Sequence, residues 1–110
     1  MKENMMAYLD RSIEWCNQEQ LRLKKEFRAD EAAHMQIASN VYGIFQSIYR
    51  AVHFDPDETV RRFGGIADTW RESYMNAQAH GDAQKMLIEE IKLARAAEIL
   101  RKAKELEAIS

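Results

Sequence analysis

The residues best spaced for metal chemistry are Glu31 and His34, in the run Glu31-Ala-Ala-His34. On a helix, this Glu-x-x-His spacing sets a carboxylate and an imidazole one turn apart on the same side. Helical di-iron sites use two such pairs plus two further glutamates. Here the pair stands alone, because His53 and His80 follow Arg50 and Ala77 at the corresponding position. A complete site would need two chains, and a histidine on a core-facing seam is ordinarily a hydrogen-bonded structural residue. No metal ligand is therefore assigned, and ligand or metal binding through Glu31 and His34 is carried as the alternative function.

Other chemistry is weaker still. Cys16 falls at a seam position of the first helix, which suits an inert buried thiol better than a nucleophile. The serines Ser12, Ser39, Ser47 and Ser73 lie inside helical runs, with no strand-to-helix elbow to present a hydroxyl. Gly64-Gly65 lacks the spacing and following lysine of a phosphate loop. Glu89 and Glu90 sit among Lys85, Lys92 and Arg95, where ordinary ion pairing along a helix accounts for them. No catalytic residue and no cofactor is expected, and the chain reads as a non-enzyme.

Composition sets the frame for these residues. With 110 residues, one domain spanning 1–110 is expected. The 46% hydrophobic and 31% charged content, with 4 Gly and 1 Pro, fits a compact helical fold and argues against disorder. No β-branched alternation bounded by turn signals marks a strand. The net charge is -2, from 16 basic and 18 acidic residues, and the two signs are interspersed, so no nucleic-acid footprint emerges. The densest basic cluster, Arg22, Lys24, Lys25 and Arg28, alternates with Leu21, Leu23 and Phe27 as a solvated helix face does. A nucleic-acid-associated regulator is the third-ranked function. A single cysteine suits a reducing compartment, and no apolar run is long enough for a membrane span or a leader. A cytoplasmic protein is expected, with no membrane partner.

Apolar spacing then defines the helices: an all-α bundle of three or four, at about 4–28, 30–53, 56–80 and 82–107. The organising stretch is Glu31 to Phe54. There Ile37, Val41, Ile44, Ile48 and Val52 form a stripe, with Phe45 and Tyr49 beside it, while Met35, Tyr42 and Tyr49 load a second flank. A helix apolar on so much of its circumference needs neighbours on more than one side.

The first helix carries Met6, Leu9, Ile13, Cys16, Leu23 and Phe27 on its seam. No Gly or Pro separates it from the second, so the two read either as one continuous helix or as two with a break at Arg28 to Asp30, Asp30 serving as N-cap. One helix of about 48 residues would be about 70 Å long, and compactness favours the break. Asp55-Pro56-Asp57-Glu58 is a clear helix start. The third helix has the seam Val60, Phe63, Ala67, Trp70, Tyr74 and Ala77, and Gly64-Gly65 within it implies a kink or a close backbone approach. Gly81 ends that helix and Asp82 caps the next. The passage from Ala79 to Leu100 resembles one helix pair of a tetratricopeptide repeat, but no second copy follows at that repeat's period.

Two features point to association. On the second helix Ser39, Gly43, Ser47 and Ala51 form a row of small residues four apart, a ridge that admits another helix closely. The last helix is apolar on two faces: Met86, Leu87, Ile91, Leu93, Ala94, Ala97 and Leu100 on one, and Ile88, Ala96, Ile99, Ala103 and Leu106 opposite. One face serves the core and the other wants a partner. The expected function is a protein–protein interaction or self-association module, most simply a homodimer, with interface residues Ser39, Gly43, Ser47, Ile88, Ile99 and Leu106.

Overall fold

The computed structural model describes residues 2–108, which form four helices and no strand: α1 (Lys2–Lys25), α2 (Ala29–Ala51), α3 (Pro56–Ala79) and α4 (Ala83–Ala108). The helix break after α1 is real, and α2 starts without a side-chain cap. Arg28, not Asp30, occupies its N-cap position and only its carbonyl is used, accepting from Ala32 N at 3.1 Å. At α3 the sequence signal is fulfilled, with Asp55 accepting from the backbone N–H of Asp57 and Glu58 at 3.1 and 3.3 Å and Pro56 opening the helix. Asp82 caps α4 by accepting from Lys85 N at 3.1 Å.

All three turns between helices are built alike. In each, one N–H reaches back five residues: Arg28 to Leu23 O, Phe54 to Tyr49 O, and Asp82 to Ala77 O, at 2.9, 2.7 and 2.9 Å. This pattern requires a residue in the left-handed conformation. Gly81 supplies it before α4, whereas Phe27 and His53 supply it in the other two turns, with φ of 61° and 56°. The break between α1 and α2 carries no glycine because a phenylalanine takes the glycine's place. Phe27, expected on the α1 seam, is 95% exposed instead.

Packing joins α1 to α2 and α3 to α4, and the two hairpins meet chiefly through α2 and α4. Helix α2 touches all three others while α1 and α3 do not meet, which is how its wide apolar surface is covered. The extents of 41 × 36 × 22 Å describe a slab two helix diameters thick. Its radius of gyration, 14.9 Å, accordingly exceeds the about 13 Å of a rounder fold of this length.

One core serves the four helices. On α2 its centre is Ala38, Val41, Tyr42, Phe45 and Tyr49, with Ile44 and Ile48 only partly buried at its edge. An aromatic chain runs through it: Trp70 to Phe63 at 6.1 Å, Phe63 to Phe45 at 5.1 Å, and Phe45 to Tyr49 at 6.2 Å between ring centroids. Tyr49 then meets Phe54 edge-on at 5.1 Å. Three of the four steps, Trp70 to Phe63, Phe63 to Phe45 and Tyr49 to Phe54, are near-perpendicular, a geometry that aromatic quadrupoles favour. On α3 the buried residue near the start is Thr59 rather than the half-exposed Val60; its hydroxyl donates to Asp55 O at 2.6 Å, which makes it tolerable inside. Helix α3 runs unbroken through Gly64 and Gly65, and no outside atom lies within 4 Å of where a Cβ would stand at either. The close approach expected there does not occur.

Candidate functional site

Two regions gather the residues of interest. The first is a groove on α2. Ser39, Gly43 and Ser47 line it with Asn40, Ile44 and Ile48, and Ile13 of α1 closes one side. The groove exists because the row is small. A Cβ added at Gly43 would meet nothing within 4 Å, so no helix of this chain uses the space that the glycine leaves. Beside it Gln46 donates to Asp10 Oδ1 at 2.7 Å, tying α2 to α1 along the rim.

The remaining expected interface residues lie elsewhere. Ile99 is completely buried and Leu106 is 7% exposed, both within the chain's own core beside Ala96 and Ala103. Ile88 is partly buried. The face of α4 chosen for the core is therefore the one expected to be free. Alanines stand on both faces, at 96 and 103 on the buried one and at 94 and 97 on the other, so small residues alone do not set the choice; Leu93 and Leu100, from the other face, pack against the same core as Ile99 and Leu106. The opposite face keeps Leu87 half-exposed and borders a cleft lined by Ile91, Ala94, Met35 and His34, with Arg95 and Glu98 at its edge.

Glu31 and His34 do not converge. Glu31 is exposed and ion-paired with Arg28, whereas His34 faces that cleft. Among the described residues no group of three or more His, Cys, Asp or Glu side chains stands together as metal ligands would.

The second region was not legible beforehand. Glu98 of α4 receives the Tyr42 hydroxyl from α2 on Oε2 at 2.6 Å, and the Tyr8 hydroxyl from α1 on the same oxygen. Arg95, one turn earlier on α4, donates through Nη1 to Glu98 Oε1 and to the Tyr42 hydroxyl, each at 3.3 Å. Three helices thus meet on one carboxylate. Burial pushes Glu98 up, but the tyrosine hydroxyls and Arg95 outweigh it and hold the carboxyl below its ordinary value. Burial and the Glu98 charge push Tyr42 up to about 12, and Tyr8 further still. The two rings meet edge-on at 6.1 Å.

In sequence Arg95 and Glu98 look like one more i to i+3 pair, and Tyr8 and Tyr42 like apolar flank. The available signal was the hydroxyl: a tyrosine on a core-facing stripe needs a partner for it. Cys16 is fully buried nearby, where desolvation raises its pKa despite Arg95, so the expected inert thiol is what the fold contains.

No helix among the described residues is long and apolar enough to cross a membrane. No protein-family model matches the chain, and no curated protein or solved structure is significantly similar to it.

Proposed function

We propose that the chain is a non-enzymatic self-association module in which two copies cross along the α2 groove. The observation that carries this reading is the empty space at Gly43. Glycine in a helix interior costs about 1 kcal/mol relative to alanine, and no contact among the described residues recovers it. Gly64 and Gly65 are equally open, but their neighbours four residues away are Val60, Asp68, Arg61 and Thr69, so they form no small-residue row.

The row on α2 is also symmetric about its centre. Ser39 and Ser47 lie four residues to either side of Gly43, and an antiparallel crossing there brings Ser39 of each copy against Ser47 of the other. Asn40 and Gln46 become opposed in the same way, an amide against an amide. A surface that matches itself under a two-fold rotation suits the commonest closed oligomer. Ile13, Ile44 and Ile48, left partly exposed by the fold, supply the apolar contact beside the row.

Sedimentation equilibrium on the wild type and two variants tests the proposal. Gly43→Ala should raise the melting temperature of dilute protein, because the alanine meets nothing and improves helix propensity. Gly43→Leu should leave the fold intact and abolish the dimer by filling the groove. A wild type that stays monomeric at high micromolar concentration overturns the reading, as does a Gly43→Leu variant that associates as the wild type does.

A further inference from the structure

We propose that the cleft between α1 and α4 beside Arg95 is a binding site for a small aromatic carboxylate. Tyr8, Arg11, Ser12 and Trp15 of α1 form one wall, and Arg95 and Glu98 of α4 form the other, with Tyr42 at the base. On α1 these residues recur at spacings of three and four, so they share one face of the helix.

The case rests on which polar groups remain free. Glu98 is committed, with one oxygen held by two tyrosine hydroxyls and the other by Arg95. Ser12 donates to Tyr8 O at 2.8 Å within its own helix. Arg95 makes both its hydrogen bonds through Nη1. Its Nε and Nη2 therefore have no hydrogen-bond acceptor among the described residues, although its side chain is only 26% exposed. Arg11 has no ion pair among them, and the Trp15 indole N–H has no acceptor. The groups left with no hydrogen bond at all are donors, from two guanidinium groups and one indole. Such a set selects an acceptor, and the flat two-donor edge of a guanidinium matches a carboxylate.

The ring half of the ligand follows from Trp15. It is a tryptophan 49% exposed at the mouth of this cleft, with Arg95 Cζ 6.0 Å from its ring. The Arg95 guanidinium lies over the indole, and a flat ring laid against the part still exposed would cover the rest. The cleft is open to solvent and holds about 260 Å³. A single ring bearing one carboxylate fits that space.

Nuclear magnetic resonance titration of the ¹⁵N-labelled full chain tests the site, with benzoate as probe, benzamide as its neutral isostere and inorganic phosphate as an anion without a ring. Benzoate should shift the Trp15 indole resonance and the amides around Arg11 saturably, and benzamide should not. Phosphate should bind at least about tenfold more weakly than benzoate, since it forgoes the ring contact. Arg11→Gln lies outside the Tyr8–Tyr42–Glu98 network and should keep the wild-type spectrum. It should weaken benzoate by about five- to tenfold, as loss of one partly solvated charge-assisted hydrogen bond requires, and Arg11→Lys should recover part of that loss. Equal responses to benzoate and benzamide overturn the carboxylate assignment. Phosphate binding as tight as benzoate overturns the ring assignment, and shifts that never saturate or fall elsewhere overturn the site.

Discussion

Tyr42 Oη stands 2.6 Å from Glu98 Oε2, joining α2 to α4 through one carboxylate that also receives Tyr8 from α1. Hydrogen bonds to a charged group contribute about 1.5–3 kcal/mol each, so Tyr42→Phe should lower unfolding free energy by that amount. Tyr8→Phe together with Tyr42→Phe should cost more than the sum of the two single changes. With both hydroxyls gone, a half-buried carboxylate keeps Arg95 alone. Chemical denaturation of the four proteins measures this, and strict additivity would separate the tyrosines into independent contacts.

The same network sets the response to pH. The folded-state pKa of Glu98 is depressed, so its contribution is present above the unfolded carboxylate value of about 4.3 and is lost as pH falls through its lower folded value. Tyr42, pushed up to about 12, and Tyr8, also raised, act in the opposite sense. Their contribution is complete below about pH 10 and is lost as pH climbs toward the folded values. Stability curves should therefore fall at both ends, and the Tyr8→Phe, Tyr42→Phe protein should lose these tyrosines' share of the alkaline component, keeping that of the buried Tyr49 and Cys16, and part of the acid one.

Glu89 has a different status, being 4% exposed on the α4 seam that continues through Ala96 and Ile99. Its Oε1 meets Lys92 at 3.1 Å, while Oε2 is buried with no partner among the described residues. Half-satisfied buried carboxylates are costly, and an apolar residue of similar length removes the cost. Glu89→Met should raise stability by about 1–3 kcal/mol, with Lys92 keeping its place 5.6 Å from the Trp70 ring. A lower melting temperature would show that Oε2 is satisfied in solution.

The all-helical class, the four segments and the cap at Asp55 were legible because local rules decide them: apolar spacing, proline at the first helical position, and acids facing the helix dipole. The turn at Phe27 was illegible because its signal, a left-handed residue, is normally written as glycine. The face of α4 was illegible for another reason. With large apolar residues and a pair of alanines on each side, at 94 and 97 and at 96 and 103, periodicity gives no preference. The Tyr8, Tyr42, Arg95 and Glu98 cluster depends on contacts between residues up to 90 apart, which no local pattern encodes.

Phe27 follows from that argument as a stability test. Its φ of 61° places a large side chain where an L-residue pays about 1–2 kcal/mol, and at 95% exposure its ring recovers almost nothing by burial. Phe27→Gly should stabilise the chain, by roughly 0.5–1 kcal/mol once the extra backbone entropy of glycine is subtracted. Gly81→Ala, at the equivalent place before α4 with φ of 68°, should do the reverse by about 1 kcal/mol. Thermal melts of the pair measure both, and a destabilised Phe27→Gly would show that the exposed ring is held by a contact.

Ile99 and Leu106 give the sharpest test of how α4 is oriented. If these residues belonged to a free association face, replacing both with glutamate would yield a folded and more soluble monomer. In this fold Ile99 is completely enclosed and Leu106 nearly so, among side chains of the shared core. Each glutamate would place a carboxylate where no partner exists and remove a filled position as well, and either loss alone is several kcal/mol. A domain of this size is stable by about 5–15 kcal/mol, so the double substitution should unfold it. Leu87→Glu, on the half-exposed opposite face, should leave helicity and melting temperature nearly unchanged. Circular dichroism of the two proteins decides between the orientations: a helical Ile99→Glu, Leu106→Glu chain beside an unfolded Leu87→Glu chain would turn α4 around on the bundle.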